Sequence, residues 1–222
     1  MVSSRVLEAA TSGAAGATLG GFTLSKLGLW PLGAAVGGIN GAISGWRQIY
    51  DWRRPSGWAG FLLDSTWGLI GTTSSLVLHA IQINRGTYLP SLSRRRGRHV
   101  YGRGFTVRKG FAVTVGSAIT NIQGESGLVR EELLERHEMT HVWQHRWLGP
   151  LFPLVYGSWM VGGAAVGAVV ALKRGDDLRH TIDTIAYYDN PLEYFAYRRQ
   201  GAWPPSGAHR RYAWGRHNGE IV

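Results

Sequence analysis

The sequence predicts an α+β chain that is mainly α, and three observations carry the prediction. Glycines recur every four residues in an apolar N-terminal stretch, an alternating segment at 111–120 reads as strand, and a polar helical segment at 128–148 precedes an uncharged apolar run. The chain has 222 residues, 32 glycines, 10 tryptophans, no cysteine and a formal charge of +10. Without cysteine there is no disulfide framework, Cys-ligated zinc, iron–sulfur cluster or thiol nucleophile, so any metal must be held by His and carboxylates. A hydrophobic content of 44% with 17% charged residues excludes a disordered chain. The mean hydropathy of −0.10 is low for a chain made only of membrane spans, which implies a part-membrane, part-aqueous object.

Residues 1–84 read as glycine-rich, membrane-embedded helices. Val6–Leu24 and Leu29–Trp46 are apolar stretches near the lower length limit for crossing a bilayer. In the second, Gly33, Gly37, Gly41 and Gly45 leave one helix face bare, so another backbone can approach it, and Gly16 and Gly20 offer a matching face on the first. The expectation is a membrane hairpin ending in the interfacial cluster Trp46, Tyr50, Trp52 and Trp58, with the four-glycine face also available to partner transmembrane helices. Trp58–Ile83 is apolar but interrupted at Asp64–Thr66 and Thr72–Ser75, a weak span or a re-entrant helix. No basic region, apolar core and cleavage site mark a removable signal peptide.

Residues 85–200 read as a second part. From Arg85 to Pro150 there are 11 basic and 5 acidic residues, a net +6 that favours the cytoplasmic side of an inner membrane. His99–Val107 and Phe111–Thr120 look like two strands joined at Arg108-Lys109-Gly110. Leu128–Leu148 reads as a helix with Glu131 and Glu132 at its start and Gly149-Pro150 as its stop. Leu151–Leu172 is uncharged and long enough to span. Asp189-Asn190-Pro191 signals another helix start. Residues 201–222 read as an irregular basic tail.

One motif carries chemistry, His137-Glu138-Met139-Thr140-His141. Residues four apart share a helix face, so both imidazoles can bind one metal ion, and zinc suits such ligands. Glu138 can take a proton from a water that the metal activates. His145 lies about 12 Å further along the helix and cannot reach the same ion. Position 147, where another class of site would place a third histidine, is Trp147. The better third ligand is Glu193, one turn into the helix that starts at Pro191, with Ala196 small enough for close packing. Glu193 also suits a simpler job, closing a capping box with Asn190, and His137 and His141 suit the surface of an amphipathic helix.

With this motif the chain resembles the gluzincin-like zinc metallopeptidases over about residues 99–200, and more loosely it is similar to actinobacterial membrane proteins with the same core. The resemblance implies a zincin-like core of strand pair, H-E-x-x-H helix and glutamate-bearing helix. It makes His137, His141 and Glu193 the ligands, Glu138 the general base, and Phe111–Ile119 an edge strand along which a peptide pairs. Tyr197 stands where many relatives have an acid that orients a ligand histidine, and Asp183 or Asp189 are the substitutes.

Elsewhere, Asp64 reads as a helix-start or interface residue more readily than a proton carrier. Arg94, Arg95, Arg96 and Arg98 read as an anchor for anionic membrane lipids, and nucleic-acid binding lacks a supporting fold. A single crossing by Leu151–Leu172 would put His137 and Glu193 on opposite sides of a bilayer. A re-entrant, surface-lying or protein-buried helix after Pro150 and Pro153 is therefore expected, leaving the first hairpin as the securest membrane element. Two functions remain: a membrane-associated zinc hydrolase acting on peptides, and a non-catalytic subunit of a larger membrane transport complex with a structural or vestigial metal site.

Overall fold

The computed structural model describes residues 3–215. It is mainly helical with one small mixed sheet, and it forms two compact units divided between Pro150 and Leu151. The division falls inside the 85–200 segment, and residues 1–84 join the basic segment in the first unit.

Helices α1 (Ser4–Ser25) and α2 (Trp30–Arg47) form an antiparallel hairpin. The Ser3 hydroxyl accepts from the Val6 N–H to cap α1, and Pro31 opens α2 where its missing N–H costs nothing. A Cβ at Gly37 would run into the Gly16 carbonyl, one at Gly33 into that of Gly20, one at Gly41 into that of Ser12, and one at Gly45 into that of Glu8. The four-residue glycine face expected to receive partner helices is therefore filled by α1 of the same chain. Among the described residues neither hairpin helix combines the length and apolarity of a membrane span. Glycine and serine dilute both, threonine also dilutes α1, and Glu8 and Asn40 are polar.

The third apolar stretch is two short helices, α3 (Pro55–Ser65) and α4 (Leu69–Gln82), broken at Thr66–Gly68. Asp64, expected near a helix start, instead lies buried near the end of α3, and its backbone carbonyl accepts from the Thr72 hydroxyl at 2.6 Å. After the single turn α5 (Pro90–Ser93), the sheet consists of β1 (His99–Val100), β2 (Val113–Val115) and β3 (Ala118–Thr120) in the order β1-β3-β2. This corrects the expected strand pair. Arg108-Lys109-Gly110 does turn, the Phe111 N–H donating to the Arg108 carbonyl at 3.0 Å, but it joins no strand pair. The hairpin turn is Gly116-Ser117, with Gly116 at φ +58°, so 111–120 folds back on itself as the antiparallel β2–β3 hairpin. β1 joins β3 in parallel. Phe111–Ile119 is thus not one edge strand, and only β2 occupies that edge.

The helix expected over 128–148 begins at Glu131, passes through a wide π segment, π1 (Leu133–Glu138), and continues as α6 (Met139–Leu148). Leu134 and Val142 on this helix and Val100, Ile119 and Ile122 from the sheet side form a core in which every residue is fully buried.

The arginine run divides, with Arg98 buried, Arg95 half-buried and Arg94 and Arg96 exposed. Arg95 makes a fork on Glu8 at 2.6 and 2.7 Å, while Arg96 and Arg98 both bind Glu135. Arg98 is 1% exposed. Three of the four arginines expected at a lipid surface are thus held in ion pairs, those of Arg95 and Arg98 at least partly buried and that of Arg96 exposed, while Arg94 is exposed and has no ion pair among the described residues.

In the second unit α7 (Leu151–Arg174) is continuous, since Pro153 sits in its first turn where a lost N–H is tolerated. Among the described residues it is the one helix long and apolar enough to cross a membrane. Its apolar side chains point outward, Val161 at 74% and Leu172 at 76% exposure, so it is not the protein-buried helix expected as one option. Gly163 and Gly167 meet the backbone of α8 (Leu178–Ile182) and of a second π segment, π2 (Asp183–Tyr188), where a Cβ would lie 2.8 Å from Ala186 Cα and 2.9 Å from Ile182 Cα. α9 (Pro191–Gln200) starts as expected, the Asn190 side chain accepting from the Leu192 N–H at 3.0 Å.

Candidate metal centre

Core packing fixes the rotation of the π1–α6 helix. With Leu134 and Val142 directed into the sheet-side core, the His137 and His141 side chains are brought to one place, both buried. Their Nε2 atoms are 3.1 Å apart and the rings stand at 76°. Two imidazoles at about 2.0–2.1 Å from a tetrahedral ion place their nitrogens roughly 3.3–3.4 Å apart, so the pair fits a shared ion with a few tenths of an ångström of adjustment. The amphipathic-surface alternative fails, because neither histidine is exposed.

His141 is oriented by Gln144, whose Oε1 lies 2.8 Å from Nδ1. With Gln144 accepting from Nδ1–H, the Nε2 lone pair is left for a ligand bond. The orienting role expected of Asp183 or Asp189 thus belongs to a neutral amide three residues along the same helix. Asp189 accepts from the Trp214 N–H at 3.1 Å, and burial pushes its carboxyl up to about 6.

Glu138 is buried, and its Oε2 accepts from the Thr114 hydroxyl at 2.6 Å. Thr114 is the middle residue of β2, so the general-base candidate is tied to the edge strand itself. Arg130 stands near, donating to the carbonyls of Ile122, Gly110 and Asn121 at 3.1, 2.7 and 2.6 Å. Burial lowers the pKa of its guanidinium, opposed by the Glu138 charge. His145 is half-buried against Thr114, and burial followed by the proximity of His141 pushes it down to about 3, a neutral imidazole beside the pair.

Glu193 lies in the second unit, in the first turn of α9, and is 4% exposed. It does not close a capping box: Asn190 caps Leu192 alone, and Glu193 Oε1 accepts from the Tyr156 hydroxyl of α7 at 2.8 Å. His137 and His141 are buried and offer two imidazole nitrogens, and Glu193 of the second unit is a buried carboxylate, donor types that could hold a metal ion. Such donors suit zinc, iron and other first-row divalent ions.

Sequence reasoning named His137, Glu138, His141 and Glu193 as candidates and did not name Thr114, Gln144 or Tyr156, the side chains that bond to Glu138, His141 and Glu193 in the structure. Gln144 was accessible in principle, lying one helical turn from His141. Thr114 depends on the strand register and Tyr156 on tertiary packing, neither of which has a local signal. Compared with protein-family models, curated proteins and solved structures, the chain matches none.

Proposed function

We propose that the chain is a membrane-associated, zinc-dependent hydrolase of peptidase type, in which His137, His141 and Glu193 hold the ion and Glu138 is the general base. The observation that carries this reading is the buried His137–His141 pair with Nε2 atoms at 3.1 Å, on a helix whose Glu138 is held by Thr114. The reading requires Glu193 of the second unit to join the pair as third ligand. A zinc ion bound there supplies Lewis acidity toward a carbonyl and its attacking water. Glu138 takes the proton of that water, with Thr114 holding Oε2 so that the carboxylate keeps one orientation. Gln144 keeps His141 in the tautomer that ligates through Nε2. β2, whose outer side has no strand beside it in the sheet, suits pairing with an extended peptide. Membrane association is supported by the exposed apolar surface of α7, which in this reading lies along the membrane and does not cross it, because a crossing would separate Glu193 from the histidine pair; the net positive 85–150 segment stays on the cytoplasmic side.

The test is metal analysis and peptide cleavage by the purified full chain beside Glu138→Gln and Glu193→Gln. The expected outcome is one zinc per chain in the wild type and Glu138→Gln, cleavage lost in Glu138→Gln, and zinc lost in Glu193→Gln. A metal-free chain that co-purifies with a transport complex in fixed ratio would replace the enzyme by the non-catalytic subunit. Zinc retained in Glu193→Gln would remove that residue from the site.

A further inference from the structure

Away from the metal centre, the first unit holds a cavity of about 590 Å³ along the stripe Glu135, Met139, Trp143 and Arg146 of the π1–α6 helix. At about 100° per residue this stripe lies roughly half a turn from His137 and His141. Six arginines line the cavity (Arg54, Arg94, Arg95, Arg96, Arg98 and Arg146) against two acids, Asp51 and Glu135. Their geometry is fixed by acids on the rim and behind the wall. Arg54 pairs with Asp51 at 3.3 Å, Arg96 and Arg98 share Glu135, Arg95 forks on Glu8, and Arg146 forks on Asp64 at 2.9 and 2.7 Å. Six guanidiniums therefore face four carboxylates, and the excess of two positive charges falls on a half-buried cavity. Arg146 is 2% exposed, and its Nη1 is buried without a hydrogen bond. That nitrogen lies behind Gly97, a lining residue on which a Cβ would sit 3.5 Å from it. Arg94 is exposed and pairs with no acid among the described residues.

We propose that this cavity binds a phosphate monoester, whether of a soluble compound or of a lipid headgroup. A phosphate monoester dianion matches the excess of two charges, where a carboxylate would supply one, and its three terminal oxygens can accept from several guanidiniums at once. Arg94, Arg96 and Arg95 provide the accessible donors. Buried Arg146 adds field without contact, and Glu135 holds Arg96 and Arg98 together in the wall. The proposal is independent of the metal reading, since the cavity lining includes none of His137, Glu138, His141 and Glu193.

Inorganic phosphate is titrated calorimetrically into the full chain in uncharged detergent micelles. The result expected is one phosphate per chain, bound at least about tenfold more weakly by Arg94→Gln/Arg96→Gln. Binding to Arg85→Gln/Arg199→Gln, which removes the same charge at exposed positions elsewhere, stays as in the wild type. Arg94→Gln alone has no ion pair to lose, so it separates weakened binding from a damaged fold and should weaken binding in the same direction. Flotation with phosphatidylcholine vesicles, with and without phosphatidic acid, distinguishes the sources. Preferential capture by phosphatidic acid that is lost only in the cavity variants assigns the lipid headgroup. Phosphate binding with equal capture by both vesicles assigns a soluble ester. No phosphate binding and no vesicle preference, or equal losses in both double variants, overturns the proposal.

Discussion

Arg146→Met is expected to be among the most destabilising polar substitutions in the first unit. Arg146 and Asp64 have side chains only 2% and 5% exposed, joined by a two-bond fork of 2.9 and 2.7 Å. The Tyr50 hydroxyl donates to the same carboxylate at 2.8 Å, and Arg146 also donates to the Gly97 carbonyl at 2.7 Å. The substitution leaves a buried carboxylate with Tyr50 as its one remaining side-chain donor, and removing one partner of such a pair costs about 3–5 kcal/mol. At about 2–4 °C per kcal/mol for a unit of this size, Tm falls by roughly 6–20 °C. The Asp64→Asn/Arg146→Met double variant removes both charges, so it should recover more than half of the loss, because the penalty lies in the orphaned charge and not in the missing attraction. Tryptophan-fluorescence melts of the three proteins at pH 7 in one detergent measure this. A single variant within about 3 °C of the wild type, or a double variant no better than the single, would refute the assignment of Asp64–Arg146 as a buried ion pair.

Three further outcomes are expected. Gly37→Ala drives a Cβ into the Gly16 carbonyl and should cost at least the roughly 1–3 kcal/mol of ordinary overpacking. Gly38→Ala meets Ala17 Cβ at 3.2 Å and should cost clearly less, a difference that thermal melts followed by circular dichroism resolve. Gln144→Leu takes the acceptor from His141 Nδ1 and should lower zinc affinity by about 10–100-fold in competition with a chelating dye, with little change in the melt of the metal-free chain. Asp189 has a folded-state pKa of about 6, raised by burial above an unfolded value of about 4. The folded state therefore holds this proton more tightly, and the stability it contributes is full below about pH 4 and lost as pH rises through about 6. Asp189→Asn should flatten that part of the stability profile; an unchanged slope between pH 4 and 6 would show that the carboxyl titrates normally.

The helical elements were legible wherever a local signal existed. The glycine period announced the backbone-to-backbone packing of α1 and α2, and Asn190-Pro191 announced α9, because both depend on residues within one or two turns. The paired histidines were legible for the same reason. The sheet was misread where the outcome depends on tertiary contacts. The chain turns at Gly116 as well as at Arg108-Lys109-Gly110, and the latter joins no strand pair: Asn121 at φ +59° donates through Nδ2 to the Phe111 carbonyl at 2.7 Å, and Arg130 holds the carbonyls of Gly110, Asn121 and Ile122. The π segments are equally hidden, since a helix widened by one residue keeps nearly the same apolar spacing. Both lie at or near candidate ligands, π1 containing His137 and π2 ending at Tyr188, five residues before Glu193.

The larger misreading concerned charge. A composition-based view separates glycine-rich apolar helices from a basic segment and assigns the arginines to lipid, because opposite charges far apart in sequence cancel in no local window. Glu8 and Asp64 are the acids set within α1 and α3, and each takes an arginine from the basic segment, Arg95 and Arg146 respectively. Each pair adds side-chain bonds that link distant elements. Trp52 and Gln48 donate to Glu8 at 2.8 and 3.1 Å, and Tyr50 and Arg146 meet on Asp64. An acid in an apolar helix thus predicts a buried cation elsewhere in the chain. In this protein that cation is Arg146 on the helix that bears His137 and His141. The glycine-rich hairpin and α3 are consequently fastened to the sheet and the histidine-bearing helix as one unit, and loss of either acid should loosen the frame that orients the histidine pair.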